Sequence, residues 1–233
     1  TGKTPFVELL LQRIRLRKKR TAVLMRGYGN DEQLQLARNF PDVPIRHGRN
    51  RYAEGQRLLR NYNADIIVLD DGFQQWKLFR DLNIVLINCV HPWGNGLLLP
   101  AGILREPLAS LRRADIIVLS HADRVSAEIK NDIRACLVCY APQACVCEAV
   151  HVPEYLYEGR APEVPLPLTL LRNQEVIIFS GIGMPSSFRE MVEALGAQVR
   201  EMFVFPDHYQ YRPQDIERIR AAQIEARIAA IFG

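Results

Sequence analysis

No apolar run in the 233 residues is long enough to span a bilayer, and the first residues lack the pattern of a signal peptide. An initiator methionine is also missing, and the chain closes on "AAIFG" without a polar tail, so a sequence cut or truncated at both ends is expected. Cysteine is scarce and odd in number, at five. An odd count argues against a closed disulfide framework and for a reducing compartment. Aromatic residues are thinly spread at 8%, and neither basic stretch, "RIRLRKKR" (13–20) nor "RHGRNR" (46–51), is interleaved with them. Single-stranded nucleic acid, which is bound on stacking platforms, is therefore not an expected partner. No internal repeat marks a solenoid or a duplication.

What is present is ordinary for a globular chain. Hydrophobic residues make up 48% and charged residues 24%, with a net charge of +4. Such a chain builds one large α/β domain or two small ones around a real core. The basic stretches read first as solvated faces, with cations favoured near a helix C-terminus, and second as sites for anionic lipid, polyphosphate or nucleic acid. Cys136-x-x-Cys139 and Cys145-x-Cys147 invite a zinc reading. Their apolar flanks favour buried small hydrophobes instead.

Helical spacing of apolar residues predicts helices over 5–19, 31–39, 51–62 and 126–136, a further helix in "PSSFREMVEALG", and a last one from Pro213. Continuous apolar runs predict strands at 21–25, 64–72, 83–89, 114–120 and 175–183, with another in "AQVREMFVF". Strands apolar throughout and separated by helices imply a mostly parallel sheet covered on both faces. Residues 1–150 are expected as a nucleotide- and substrate-binding lobe, 151–174 as a proline-rich connector, and 175–233 as a smaller C-terminal α/β lobe.

Ligands of such sheets bind beyond the carboxyl ends of the strands, and several chemical groups fall there. Gly2-Lys3-Thr4 has the form of the last three positions of a phosphate-binding loop, whose glycine-rich half and feeding strand would lie upstream. In such a loop backbone N–H groups and the lysine hold phosphate, and the hydroxyl ligates Mg²⁺. Asp70 and Asp71 end the run "ADIIVLDDG", where a carboxylate can hold Mg²⁺ opposite that hydroxyl; a plain turn also uses these residues. Arg105, in "GNGLLLPAGILREP", either clamps phosphate through its planar fork or forms a structural ion pair. In "FPDHYQY", Asp207 and His208 supply a carboxylate and an imidazole, and His208 can pair with a remote acid such as Asp31.

Taken in order, "TGKTP", "RGYG", "LDDGFQ", "RDLNIVL", "GNGLLLPAGILREP", "SGIGMPSSF" and "FPDHYQY" resemble the tetraacyldisaccharide 4'-kinase family along nearly the whole chain. The resemblance implies a phosphate-loop kinase at the cytoplasmic face of a bacterial inner membrane. It would use ATP and Mg²⁺ to phosphorylate the 4'-hydroxyl of a tetraacyl glucosamine disaccharide 1-phosphate. The implied partners are that lipid A precursor and an anionic membrane surface, with no nucleic acid and no obligate protein partner.

Residue by residue, the resemblance implies Asp31 as catalytic base supported by His208, with Lys3 acting on the transferred phosphate. Thr1, Gly2, Lys3, Thr4, Asp71 and Arg105 would hold the nucleotide, and Thr4, Asp70 and Glu32 the metal. Tyr28, Arg51 and Asp207 would face the acceptor. The chain departs from the family pattern where "RGYGNDE" is contiguous and Asn30 replaces a glycine. Gln75 also replaces a histidine, and Ile103 a proline. Two other readings stand beside the kinase: a phosphate-loop ATPase or GTPase switch, and a paralogue that keeps the fold without turnover.

Overall fold

The computed structural model describes residues 2–26, 30–158, 161–206, 209–226 and 229–232, except the side chains of 30, 31, 161–163, 225 and 226. The chain divides into two compact units, Thr1–His151 and Val152–Gly233.

The first unit alternates strand and helix. Helix α1 (Lys3–Leu16) is followed by β1 (Thr21–Met25), α2 (Asn30–Asn39), β2 (Ile45–His47), α3 (Arg51–Tyr62), β3 (Ile66–Leu69) and β4 (Ile84–Asn88). A 3₁₀ segment (Leu108–Arg113), β5 (Ile116–Ser120), α4 (Ala127–Tyr140) and β6 (Cys145–Ala149) complete it. The strands form two parallel three-stranded sheets, ordered β2-β1-β3 and β4-β5-β6. Val23 sits at the centre of the first, in register with Ile45 and Val68.

The apolar run of β1 follows from burial on both faces. Val23 and Met25 pack with Val7 and Leu11 of α1 and with Leu36 and Phe40. Ala22 and Leu24 point the other way, onto Leu58 of α3. The period of two along a strand makes this partition automatic, so the four buried positions Ala22 to Met25 are all apolar. In the second sheet, Ile117 and Leu119 of β5 pack with Ile133 and Leu137 of α4.

Helix α1 starts two residues earlier than the periodicity predicts and stops at Leu16. Pro5 is accommodated because the first-turn N–H groups have no intrahelical acceptor. Beyond Leu16 the backbone turns through Lys18 at φ 54°. Strand β2 was not anticipated; a three-residue strand is too short to show a period.

The second unit holds β7 (Leu156–Glu158), β8 (Ala161–Leu166), a 3₁₀ turn (Leu168–Leu171), β9 (Glu175–Ser180), α5 (Pro185–Ala194), β10 (Gln198–Val204), α6 (Pro213–Ala226) and β11 (Ala229–Phe232). Residues 151–174, expected as a connector, thus carry an antiparallel β7-β8 pair and the 3₁₀ turn. Strand β9 is the centre of a parallel β10-β9-β11 sheet. Val176 and Ile178 pack on Phe188 and Val192 of α5, while Ile177 faces Ile219 of α6.

The cysteines correct the sequence expectation. Cys89 is buried, but Cys139, Cys145 and Cys147 are exposed and Cys136 is half-buried. Cys145 and Cys147 lie on β6, an edge strand of its sheet, and Cys139 lies in the last turn of α4. Among the described residues no group of three or more His, Cys, Asp or Glu side chains is gathered to hold a metal ion.

Candidate active site

The carboxyl ends of β1 and β3, the loop after β4 and the start of α1 converge in the first unit. Gly2 precedes α1 in a left-handed conformation (φ 71°, ψ 30°), which an L side chain rarely adopts. Lys3 and Thr4 follow in the first turn, where unpaired N–H groups and the helix dipole favour an anion. Asp70 and Asp71 leave the end of β3, with Asp71 also left-handed at φ 51°. Aspartate tolerates that region better than most side chains.

The Lys3 ammonium donates to Asp71 Oδ1 at 3.1 Å. Arg105 donates to both oxygens of the same carboxylate, at 2.8 and 2.7 Å. Burial alone pushes the Asp71 carboxyl up, but the bonds and charges of Arg105 and Lys3 outweigh it and hold the group below its ordinary value. Asp70 goes the other way. Burial raises its pKa, Lys3 opposes the rise, and the negative charges of Glu32 and Asp71 add to it. The Thr4 hydroxyl donates to Glu32 Oε1 at 3.1 Å. That bond uses the hydroxyl proton and leaves its oxygen lone pairs available to a cation.

Arg105 is held in place from behind. The 94–104 loop braces itself through Leu99 N to Leu104 O at 2.9 Å, Leu104 N to Leu97 O at 3.1 Å, and Asn95 Nδ2 to Ala101 O at 2.8 Å. A Cβ on Gly102 would lie 2.2 Å from both Asn95 Oδ1 and Leu97 O, so only glycine fits this crossing. Glu106 turns away from Arg105 to accept from Trp76 Nε1 at 3.0 Å and from the Arg113 guanidinium. Arg113 in turn lies over the Phe73 ring at 4.3 Å and the Trp76 ring at 5.1 Å. The turn after β3 and the loop after β4 are therefore locked together, which sets Arg105 against Asp71.

Arg51 corrects the reading of 46–51 as a solvated face. It is 2% exposed, the first residue of α3, behind an Asn50 cap whose side chain accepts from Ala53 N at 3.1 Å. Its Nη1 donates to Leu24 O at 2.9 Å and Asp70 O at 3.1 Å, joining the ends of β1 and β3. Its Nε and Nη2 find no acceptor among the described residues. Burial lowers its pKa, and the charges of Asp70 and Asp71 oppose that shift.

The chain matches the model of the tetraacyldisaccharide-1-P 4'-kinase family, LpxK, over residues 30–231. It is 37% identical to the tetraacyldisaccharide 4'-kinase of Halothermothrix orenii over 94% of its own length and 65% of that protein. It is 36% identical to that of Syntrophus aciditrophicus over 99% of its length and 69% of the relative. The chain belongs to the tetraacyldisaccharide 4'-kinase family. A crystal structure of LpxK from Aquifex aeolicus in complex with ATP superposes with a TM-score of 0.69 at 30% identity, covering 91% of this chain and 70% of that one. The fold is accordingly that of a phosphate-loop kinase. The chain spans about two thirds of the length of these curated relatives.

Of the family residues named from sequence, the structure brings Lys3, Asp71 and Arg105 into one cluster and pairs Thr4 with Glu32. Asp70 lies within the field of Lys3, Glu32 and Asp71, and its carbonyl meets Arg51. Asp31 falls in the first turn of α2, but its side chain lies outside the described residues. Thr1, Tyr28, Asp207 and His208 lie outside them as well. The described neighbours of the Asp-His segment are ordered by an aromatic cluster. Phe205 stacks on Tyr209 at 5.1 Å between ring centroids and meets Tyr211 edge-on at 5.0 Å, and Tyr209 donates its hydroxyl to Asp215 at 3.0 Å.

The roles of Glu106, Trp76 and Arg113 as a brace were missed in the sequence. The one available signal was the aromatic-rich "GFQQW" turn preceding a loop with a spare carboxylate.

Proposed function

We propose that this protein transfers the γ-phosphoryl group of ATP to the 4'-hydroxyl of a tetraacyl glucosamine disaccharide 1-phosphate, the lipid A precursor. The observation that carries the reading is the convergence of Lys3 and Arg105 on Asp71 beside the Thr4–Glu32 pair, in a chain of this family. Phosphoryl transfer asks a protein mainly for positioning and charge neutralisation. Lys3 and Arg105 supply two cations that exchange from the Asp71 carboxylate to phosphate oxygens when nucleotide enters. Asp71 keeps both side chains extended toward the same point in the meantime.

The donors also fit Mg²⁺. Asp70 sits in a partly buried, negatively charged surrounding that a cation would relieve, and the Thr4 oxygen retains its lone pairs. Mg²⁺ takes most of its ligands from phosphates and water, so one or two protein oxygens suffice. When bound, the ion would neutralise charge on the β- and γ-phosphates; Thr4 and Asp70 would hold it and Glu32 would orient the Thr4 hydroxyl. Asp31, supported by His208, would accept the proton of the attacking hydroxyl. Tyr28 and Asp207 would face the acceptor, while Arg51, first assigned there too, is buried and would serve by holding the ends of β1 and β3 together.

No helix among the described residues is long and apolar enough to cross a membrane. The exposed basic run Arg13–Arg20 suits the anionic cytoplasmic leaflet of the inner membrane, where a lipid acceptor resides. The test is transfer of ³²P from labelled ATP to the disaccharide 1-phosphate lipid by the full-length protein. Labelled lipid is the expected product. Release of inorganic phosphate with no labelled lipid would instead indicate a hydrolytic switch, and no turnover of ATP would indicate a fold without activity.

A further inference from the structure

The amino ends of the first sheet, away from the phosphate loop, carry a groove that the kinase reading leaves unused. It lies between the last turn of α1, the start of β1, the turn before β2 and the end of α3, with a volume of about 340 Å³. A space of that size suits a small molecule. The 14 residues of α1, at a rise of about 1.5 Å each, set it about 20 Å from Gly2.

The rim of the groove is cationic, formed by Arg15, Lys18, Lys19 and Arg20. Two of these are engaged, Arg15 with Asp42 at 3.4 Å and Arg20 with Asp65 at 2.9 Å. The ammonium groups of Lys18 and Lys19 have no ion-pair or hydrogen-bond partner among the described residues. The floor is apolar, with Val43 and Pro44 half-buried and the Tyr62 ring 45% exposed.

Lys18 is the informative residue. Carbonyls at the end of α1 are already used by main-chain donors, Lys18 N to Arg15 O at 2.8 Å and Lys19 N to Ile14 O at 3.5 Å. Such an ending needs a left-handed residue just past the helix, where glycine is the usual choice. Lys18 takes that place at φ 54°, at a conformational cost that glycine does not carry. Neither capping nor backbone geometry calls for a lysine there, so the side chain itself has a use.

We propose that this groove is a second anion site, holding the phosphate of a small phosphate ester between Lys18 and Lys19 with the body of the ester on Val43, Pro44 and Tyr62. A phosphate monoester carries about 1.5 to 2 negative charges at pH 7, which matches two uncommitted ammonium groups. Lipid headgroups and soluble esters share this chemistry. The site has no residue in common with the phosphate loop and does not depend on the kinase reading. It also goes beyond the diffuse attraction of a basic run to an anionic surface, because the groove is bounded and has an apolar floor.

The test is calorimetry at low salt on the full-length protein, with monomeric dihexanoyl phosphatidate and inorganic phosphate as probes. Lys18→Gly is expected to weaken the phosphatidate about fivefold, the upper range for one exposed ion pair, while raising the melting temperature. Lys19→Gln is expected to weaken it by a similar factor. Tyr62→Ser is expected to weaken the phosphatidate and to leave inorganic phosphate within about twofold of wild type. Unchanged phosphatidate affinity in both lysine variants would overturn the site. A melting temperature lowered by Lys18→Gly would show that the lysine serves the fold and overturn the argument from its backbone. Equal affinity for the two probes would overturn the part given to the floor. Retention on phosphatidylcholine vesicles containing phosphatidate, lost in the lysine variants, supports the site with a membrane headgroup as its source. Binding of the short-chain ester without vesicle retention supports it with a soluble source.

Discussion

Arg105 and Asp71 are 34 positions apart in sequence, yet one guanidinium nitrogen of Arg105 lies 2.8 and 2.7 Å from the two oxygens of the Asp71 carboxylate. Lys3 reaches the same carboxylate from a third element. One acid thus gathers two cations at a single point before any anion is present. Both cationic side chains are about half exposed, so these bonds contribute at most ~1 kcal/mol to stability, and their value lies in orientation.

Arg105→Ala should therefore leave the melting temperature nearly unchanged while lowering kcat about 10²–10³-fold, the range for loss of one preorganised donor to a developing anion. Arg105→Lys should recover only part of that, since an ammonium cannot present a planar fork. Thermal melts alongside steady-state kinetics check both; a large loss of stability in Arg105→Ala would mean the pair is structural.

Asp70 is expected to show the opposite balance. Its ionised form is penalised by burial and by Glu32 and Asp71, so folding works against the charge at neutral pH. Asp70→Asn should raise stability by about 0.5–2 kcal/mol in metal-free buffer, as removal of a strained functional group commonly does. The same change should reduce phosphoryl transfer about 10²-fold or more, through loss of the oxygen proposed to hold Mg²⁺. Denaturant unfolding at pH 7 decides the first claim, and a less stable variant would refute it.

Glu106 offers a test of positioning at one remove. Glu106→Ala leaves Trp76 Nε1 and the Arg113 guanidinium without their shared acceptor. Stability should fall by about 1–3 kcal/mol. The loosened loop should raise KM for ATP more than it lowers kcat, because Arg105 itself remains. Equal effects on both parameters would argue for direct participation of the carboxylate.

The acid limb of stability should carry a signature of Asp65. Arg20 donates to it from its backbone and its guanidinium, tying the entrance of β1 to that of β3, and these bonds lower its pKa to about 2. A carboxyl depressed in the folded state contributes stability above its unfolded pKa and loses it as pH falls toward the folded one. The stability difference between wild type and Asp65→Asn should be constant above about pH 5 and shrink between about pH 4 and pH 2. An NMR titration of the Asp65 carboxyl gives the pKa directly; a midpoint near 4 would contradict the pairing.

Much of the fold was legible because its determinants are local. Strands β1, β4, β5 and β9 announced themselves as apolar runs, and the helices as periodic ones, because elements packed on both faces admit no polar interruption. Strands β2, β7, β8 and β11 did not, being three to six residues long or proline-containing, with pairing supplied by a neighbour. The loops followed the same rule. Sequence could mark Arg105 and Asp71 as chemically apt, but it offered two partners for Arg105 and favoured neither; the adjacent Glu106 is instead used by Trp76 and Arg113.

By itself the sequence determined the helices, the long apolar strands β1, β3, β4, β5, β9 and β10 in their order, the family, and which residues stand at the ends of those strands, since each of these depends on spacing along the chain. Tertiary structure decided which charges meet, that Arg51 is buried rather than solvated, that three cysteines of the supposed core face solvent, and that Lys18 and Lys19 share a groove with Val43 and Tyr62. Those outcomes depend on which strand is an edge and which loops share a sheet end. No stretch of chain encodes that alone, because the partner in each case is supplied by a distant segment whose position is set by the packing of the core.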